Sequence, residues 1–122
     1  MAAHLESCLP EEGCGLLAGR GSDVTLMLPI ENSEHSPIHY HMEHRALIEA
    51  FHLVDQLGLE MLGAFHSHPL GPAGVSASDI REWQYPEATI VVCSRVGALW
   101  SARGFVVEEG DAREIPVGVE QF

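Results

Sequence analysis

The sequence predicts a mixed α/β layer fold, and three observations carry that expectation. Short apolar, β-rich runs recur along the 122 residues, at 13–19, 24–30, 60–65, 89–93 and 98–103. Between them, Glu43 to Leu57 places Ala46, Leu47, Ala50, Phe51, Val54 and Leu57 at three- and four-residue spacing, which is one apolar helix face. Strand and helix signals interleave with no repeat, low-complexity segment or linker between them. One domain over residues 1–122 is therefore expected.

Taken in order, residues 2–10 form a short helix closed by Pro10, which cannot continue it. The run GCGLLAG at 13–19 is a strand of small residues, Gly21-Ser22-Asp23 is a turn, and Val24 to Ile30 returns as a second strand of a hairpin. A polar loop at 31–37 leads to Ile38-His39-Tyr40-His41-Met42, which reads as a short strand. The helix at 43–57 packs on the core and stops at Gly58. Glu60 to Phe65 is a buried strand that runs into His66 and His68, and the glycine- and proline-rich segment 70–75 is a loop. A short helix starts near Ser76–Asp79 and reaches about Trp83. Strands at 89–93 and 98–103 join through a turn at 95–97, and 105–107 with 113–117 form a last hairpin across Glu109-Gly110-Asp111.

Composition narrows the partners. With 18 acidic and 6 basic residues the net charge is −12, and all the basic residues are arginine. Such a surface repels phosphate backbones, so nucleic-acid binding is not expected. No apolar run reaches the length of a membrane span. The N-terminus lacks a basic region followed by an apolar core, so no secretory signal is read and a cytoplasmic location is expected. Cys8, Cys14 and Cys93 are odd in number and lack a CxxC pair, so neither a disulfide framework nor a thiolate metal site is expected; Cys14 and Cys93 read as core.

The chemistry concentrates in H-S-H-P-L-G-P-A-G-V-S-A-S-D, residues 66–79. In a strand, residues i and i+2 share a face, so His66 and His68 project together and Ser67 turns away. Two imidazoles with the Asp79 carboxylate make a three-ligand set that leaves a zinc position open. Alone, the histidine pair fits half-buried strand residues better than a site; Pro69, the glycine loop, Ser76 and Asp79 together reverse that reading, and Asp79 at a helix start, where the dipole favours an anion, suits a ligand. Ser76-x-x-Asp79 is also the pattern of a helix-capping pair, and a serine fixed there can offer its hydroxyl to a developing oxyanion. Hydrolysis further needs a general base. Glu12 is the candidate, with Glu11 beside it, and residue chemistry alone leaves both open.

Glu12-x-x-Gly15-Leu16, with His66-x-His68-Pro69, Ser76 and Asp79, resembles the JAMM (MPN+) family of zinc metalloproteases, whose pattern is E-x-x-G-L followed by H-[ST]-H-P-x6-S-x2-D. Pro10 to Gly19, the Asn32-Ser33 loop, the long helix and Gly63-Ala64-Phe65-His66 are similar to its short prokaryotic branch, which includes Mec. The resemblance implies a curved mixed sheet flanked by helices, a fold related to the cytidine deaminase-like architecture. It implies one zinc ion on His66, His68, Asp79 and a water, with Glu12 rather than Glu11 as general base and acid, and Ser76 stabilising the tetrahedral intermediate. It implies cleavage of an amide after the C-terminal Gly-Gly of a ubiquitin-like protein. In bacteria that means a sulfur carrier of the ThiS/MoaD type, as a cysteine adduct or a C-terminal extension. The chain lacks the long insertions with which eukaryotic deubiquitinases grip lysine-63-linked chains, so polyubiquitin specificity is not implied. The competing reading is a non-catalytic MPN-type scaffold, which loss of a ligand would mark. A deaminase is disfavoured because H-x-E and P-C-x-x-C are missing.

The remaining features are assigned surface or packing roles. His35, His39, His41 and His44 are expected to be surface or substrate-facing, and His4 and His52 solvent-facing. Trp83 and Tyr85 are expected in the core or on a carrier-binding surface. A Gly-Gly tail is expected to lie extended along a sheet edge near the metal. The oligomeric state is open, a homodimer included.

Overall fold

The computed structural model describes residues 1–71 and 74–118, with the side chain of Val96 outside the description. The GCGLLAG run forms β1 (Cys14–Arg20), buried from end to end except at Arg20. Its small residues let neighbours approach closely on both sides: a Cβ on Gly15 would collide with the Phe65 ring and the Leu28 carbonyl. A tight turn through Gly21 (φ +63°) returns the chain as β2 (Asp23–Ile30), paired antiparallel with β1 as the sequence predicts.

Before β1, α1 (Ala2–Cys8) buries Leu5 and ends two residues ahead of Pro10. After the loop, α2 (His44–Gln56) buries Ala50 and Val54 and stops before Gly58, whose φ of +66° is the left-handed geometry a helix end favours. Next come β3 (Glu60–His68), α3 (Ala77–Glu82), β4 (Thr89–Val96), β5 (Leu99–Glu108) and β6 (Asp111–Ile115). The six strands form one mixed sheet in the order β2-β1-β3-β4-β5-β6. Only β3 and β4 run parallel, so they need a crossover, and α3 with its flanking segments supplies it.

Alternation along the strands sorts the core onto two faces. Leu17, Phe65, Val91 and Cys93 pack with Leu5 of α1 on one face. Leu16, Ile30 and Ala64 pack with Ala50 of α2 on the other. His66 and His68 share strand parity with Ala64, so the site strand presents them toward the side that carries α2. Trp83 packs against both this second cluster and one formed by Ile90, Val92 and Phe105. Tyr85 contacts the rings of Phe51 and Trp83, which answers the question left by sequence in favour of packing.

Several expectations are corrected. Residues 38–42 are not a strand; they make one isolated bridge, Asn32 to Met42, because the backbone groups of His39 and His41 bond to the Asn32 side chain instead of a ladder. The expected strands 98–103 and 105–107 are a single strand, β5, that pairs with β4 and with β6. Gly104 does not break it; the missing side chain makes room for Val117. The last hairpin turns at Glu109 and Gly110, whose φ values of +53° and +82° suit a two-residue turn, so β6 begins at Asp111 and ends before Pro116. His4 is half-buried, edge-on to Phe65 with ring centres 6.0 Å apart, and not solvent-facing. His52 is exposed as expected, and Cys14 and Cys93 are fully buried. Of the expected loop 70–75, Pro72 and Ala73 lie outside the described residues. No helix among the described residues is long and apolar enough to cross a membrane.

Candidate active site

The strand reading of His66 and His68 is realised at the buried end of β3, where both are almost fully enclosed. Asp79 arrives from the first turn of α3, and a reciprocal cap fixes it there. Ser76 Oγ accepts the Asp79 amide at 3.1 Å, and Asp79 Oδ2 accepts the Ser76 amide at 2.9 Å. That same Oδ2 lies 3.1 Å from His66 Nε2 and 3.2 Å from His68 Nε2, and the two nitrogens are 3.1 Å apart. Three donor atoms thus form a nearly equilateral triangle. Ligands about 2.0–2.1 Å from a tetrahedral zinc ion stand roughly 3.3 Å from one another, so the spacing fits zinc, as does the two-imidazole, one-carboxylate donor set.

Protonation agrees with that fit. Burial holds the His66 imidazole below its ordinary pKa, with Asp79 opposing in part, so the ring is neutral at pH 7. Burial alone would raise the Asp79 pKa, but hydrogen bonds from His66 and His68 outweigh it and keep the carboxyl well below the usual range. Neutral imidazole and ionised carboxylate are the ligand forms a metal requires.

Glu12 is 4% exposed, and its carboxylate lies within 4.8 Å of the ligating atoms of both histidines. Antiparallel pairing of β1 with β3 sets Cys14 opposite His66, and this brings the residues just before β1 to the metal end of β3. The Glu12 amide donates to Ser36 O at 2.8 Å, and its carbonyl accepts from Asn32 Nδ2 at 3.1 Å. Burial pushes the Glu12 carboxyl up to about 7; His68 opposes the shift and the negative Asp79 adds to it. Glu11 pairs instead with exposed His35 at 2.8 Å. Of the two adjacent glutamates, the structure brings Glu12 to the histidines.

A profile of prokaryotic homologs of the JAB domain matches residues 1–104. The chain belongs to this JAB-domain family. A probable TtuB-protein conjugate cleaving protease of Thermus thermophilus is 41% identical over 87 residues, 69% of this chain and 58% of that protein, so the chain spans less than two thirds of that relative. A CysO-cysteine peptidase of Mycobacterium tuberculosis is 29% identical over 126 residues, covering 100% of this chain and 86% of the relative. The solution structure of a protein from Desulfitobacterium hafniense matches with a TM-score of 0.83 at 33% identity, over 94% of this chain and 82% of that one.

In this JAB-domain chain the donor triangle opens into a cleft of about 140 Å³ walled by Glu12, the segment Pro37–Tyr40, Gly71, Ser76 and Glu82. Tyr40 stacks on His66, with ring centres 4.5 Å apart and planes 19° from parallel. Sequence reasoning missed Tyr40, and it singled out the Asn32-Ser33 loop without a role for the Asn32 side chain, which holds the backbone on either side of Tyr40. His39 lines the cleft, which suits a substrate-facing role, while His35, His39, His41 and His44 are all exposed. Among the described residues, no metal-type cluster forms from those four. Among the described residues, β3 lies between β1 and β4 and the sheet edges are β2 and β6, so the strand that carries the histidines offers no edge of the expected kind.

Proposed function

We propose that this JAB-domain protein is a zinc-dependent hydrolase of the cytoplasm. It cuts the amide bond after the C-terminal Gly-Gly of a ubiquitin-like or sulfur-carrier protein of the ThiS/MoaD type. The observation that carries the reading is the convergence of His66 Nε2, His68 Nε2 and Asp79 Oδ2 to 3.1–3.2 Å, with the buried Glu12 carboxylate beside them. The names of the Thermus and Mycobacterium relatives, a probable TtuB-protein conjugate cleaving protease and a CysO-cysteine peptidase, support the substrate class.

His66, His68 and Asp79 hold the metal. When bound, zinc supplies Lewis-acid polarisation and a water acidic enough to attack at neutral pH. Glu12 takes a proton from the attacking water at its carboxylate and returns it to the leaving nitrogen as the C–N bond breaks. A buried carboxylate within 4.8 Å of the histidine nitrogens is placed for both halves of that task. Ser76 Oγ accepts the Asp79 amide, which leaves its own hydrogen to donate, either to Ser78 Oγ at 3.1 Å or to a developing oxyanion. The small cleft admits a glycine tail and resists bulkier residues. With no free edge on β3, the tail is received by the loops on either side of the cleft.

The alternative, a scaffold without activity, is disfavoured because each ligand and the base are in place. The test is to incubate zinc-loaded protein with the host's carrier proteins, prepared as cysteine adducts and as C-terminal extensions, and to read products by intact mass. Loss of the group after Gly-Gly is expected. No cleavage of any carrier, or wild-type turnover by Glu12→Ala, overturns the reading.

A further inference from the structure

We propose that Asn32 is a positioning residue: its single carboxamide locks the base Glu12 and the aromatic cover Tyr40 into one fixed arrangement. The catalytic consequence rests on the hydrolase reading above; the structural coupling does not. Asn32 follows β2 and is 7% exposed. Both hydrogens of its amide nitrogen are used, one on Glu12 O at 3.1 Å and one on His39 O at 3.0 Å. Both lone pairs of its oxygen are used too, by the amides of Glu34 and His41, each at 3.1 Å. The network itself assigns the orientation. Turning the amide over would aim its hydrogens at two N–H groups and its oxygen at two carbonyls.

The pattern of partners is what gives the residue a role beyond turn formation. His39 and His41 flank Tyr40, so two of the four bonds grip the backbone on either side of the residue that stacks on His66. A third bond holds the Glu12 carbonyl. One buried group therefore ties the loop that carries the base to the loop that closes the cleft. Aspartate at this position keeps the two acceptor bonds and loses both donors; alanine loses all four. Ser33 offers a built-in comparison. It also braces this loop, with its amide and Oγ donating to His41 O at 2.9 and 3.0 Å, but those bonds do not reach Glu12 or His39.

The experiment compares Asn32→Ala, Asn32→Asp and Ser33→Ala in the full chain. In the zinc-loaded state, Asn32→Ala and Asn32→Asp are expected to lower kcat by about 10–100-fold, the cost of displacing a reacting group by around an ångström, with KM little changed and zinc content intact. Ser33→Ala is expected to stay within about twofold of wild type, since no reacting group moves. In the metal-free state, the His66 ring protons are expected to shift downfield in Asn32→Ala as the Tyr40 stack loosens. Protection of the His41 amide from exchange should fall in Asn32→Ala and persist in Asn32→Asp, which retains that bond. A folded Asn32→Ala with unchanged kcat, or a loss matched by Ser33→Ala, overturns the catalytic role. Unmoved His66 resonances overturn the link to Tyr40. If wild type cleaves no carrier, the hydrolase reading fails and the His66 resonances still decide the coupling. If alanine prevents folding, Asn32→Asp, which preserves the side-chain volume and loses the bonds to Glu12 O and His39 O, decides the catalytic role by its kcat and the coupling by a downfield His66 shift in the metal-free state, with an unmoved resonance overturning it.

Discussion

Ser67 and Gly13 bond to each other twice: the Gly13 amide donates to Ser67 Oγ at 2.8 Å, and the Ser67 amide donates to Gly13 O at 2.9 Å. The residue between the two histidines therefore fastens the residue after Glu12. Ser67→Ala leaves the Gly13 amide buried without that partner, at a cost of about 1–3 kcal/mol. Urea titration should show this loss. Turnover should fall further than that of an equally destabilised variant remote from the site, while bound zinc stays near wild type.

The donor triangle makes a direct statement about metal content. Wild type should carry about one zinc per chain, and His66→Ala/His68→Ala close to none, by elemental analysis after dialysis. Glu12→Ala should keep its zinc and lose turnover by about 10²–10⁴-fold, since the base and not a ligand is removed. Equal zinc in the double variant would place the ion elsewhere.

Metal-free stability should depend on pH through Glu12. Its folded pKa of about 7 stands above the ordinary 4.5, so the folded state keeps the proton longer than the unfolded chain. The contribution is therefore fully favourable below pH 4.5 and is lost as pH rises through 7, at up to about 1.4 kcal/mol per pH unit. In chelator-treated protein, Glu12→Gln should match wild type at pH 4 and exceed it at pH 8 in urea melts. A difference of the same size at both values would refute this.

Cys14 and Cys93 are pushed up to about 12 by burial, from an ordinary 9. Both thiols stay protonated in the folded state while the unfolded chain ionises. Stability should thus decline above about pH 9, and Ellman's reagent at pH 8 should leave both unmodified until denaturant is added. Rapid labelling of either in the native protein would contradict the burial.

How far the sequence disclosed this site depends on the range of each interaction. His66 and His68 were legible because strand periodicity alone sets them side by side, and Asp79 because its cap with Ser76 is local. The choice of Glu12 over Glu11 came from family pattern, since the geometry behind it is the β1–β3 register, a pairing across some fifty residues. Tyr40 was hidden for a different reason. Ile38, Tyr40 and Met42 alternate with histidines and imitate a strand, yet Asn32 takes the backbone bonds that a strand partner would need. Gly104 misled in the same way: a glycine that divides two β-rich runs looks like a breaker, whereas its lack of a side chain serves packing against Val117.

The cap on α3 has a consequence for the unliganded protein. Six residues are too few for a helix to persist unaided, and the carboxylate that begins this one belongs also to the donor triangle. Occupancy of the triangle should then add to the integrity of the β3–β4 crossover. Stripping the metal should raise the protease sensitivity of α3 (Ala77–Glu82), and restoring zinc should lower it again. Under the proposed function, loss of the ion would then cost the site its local order as well as its chemistry.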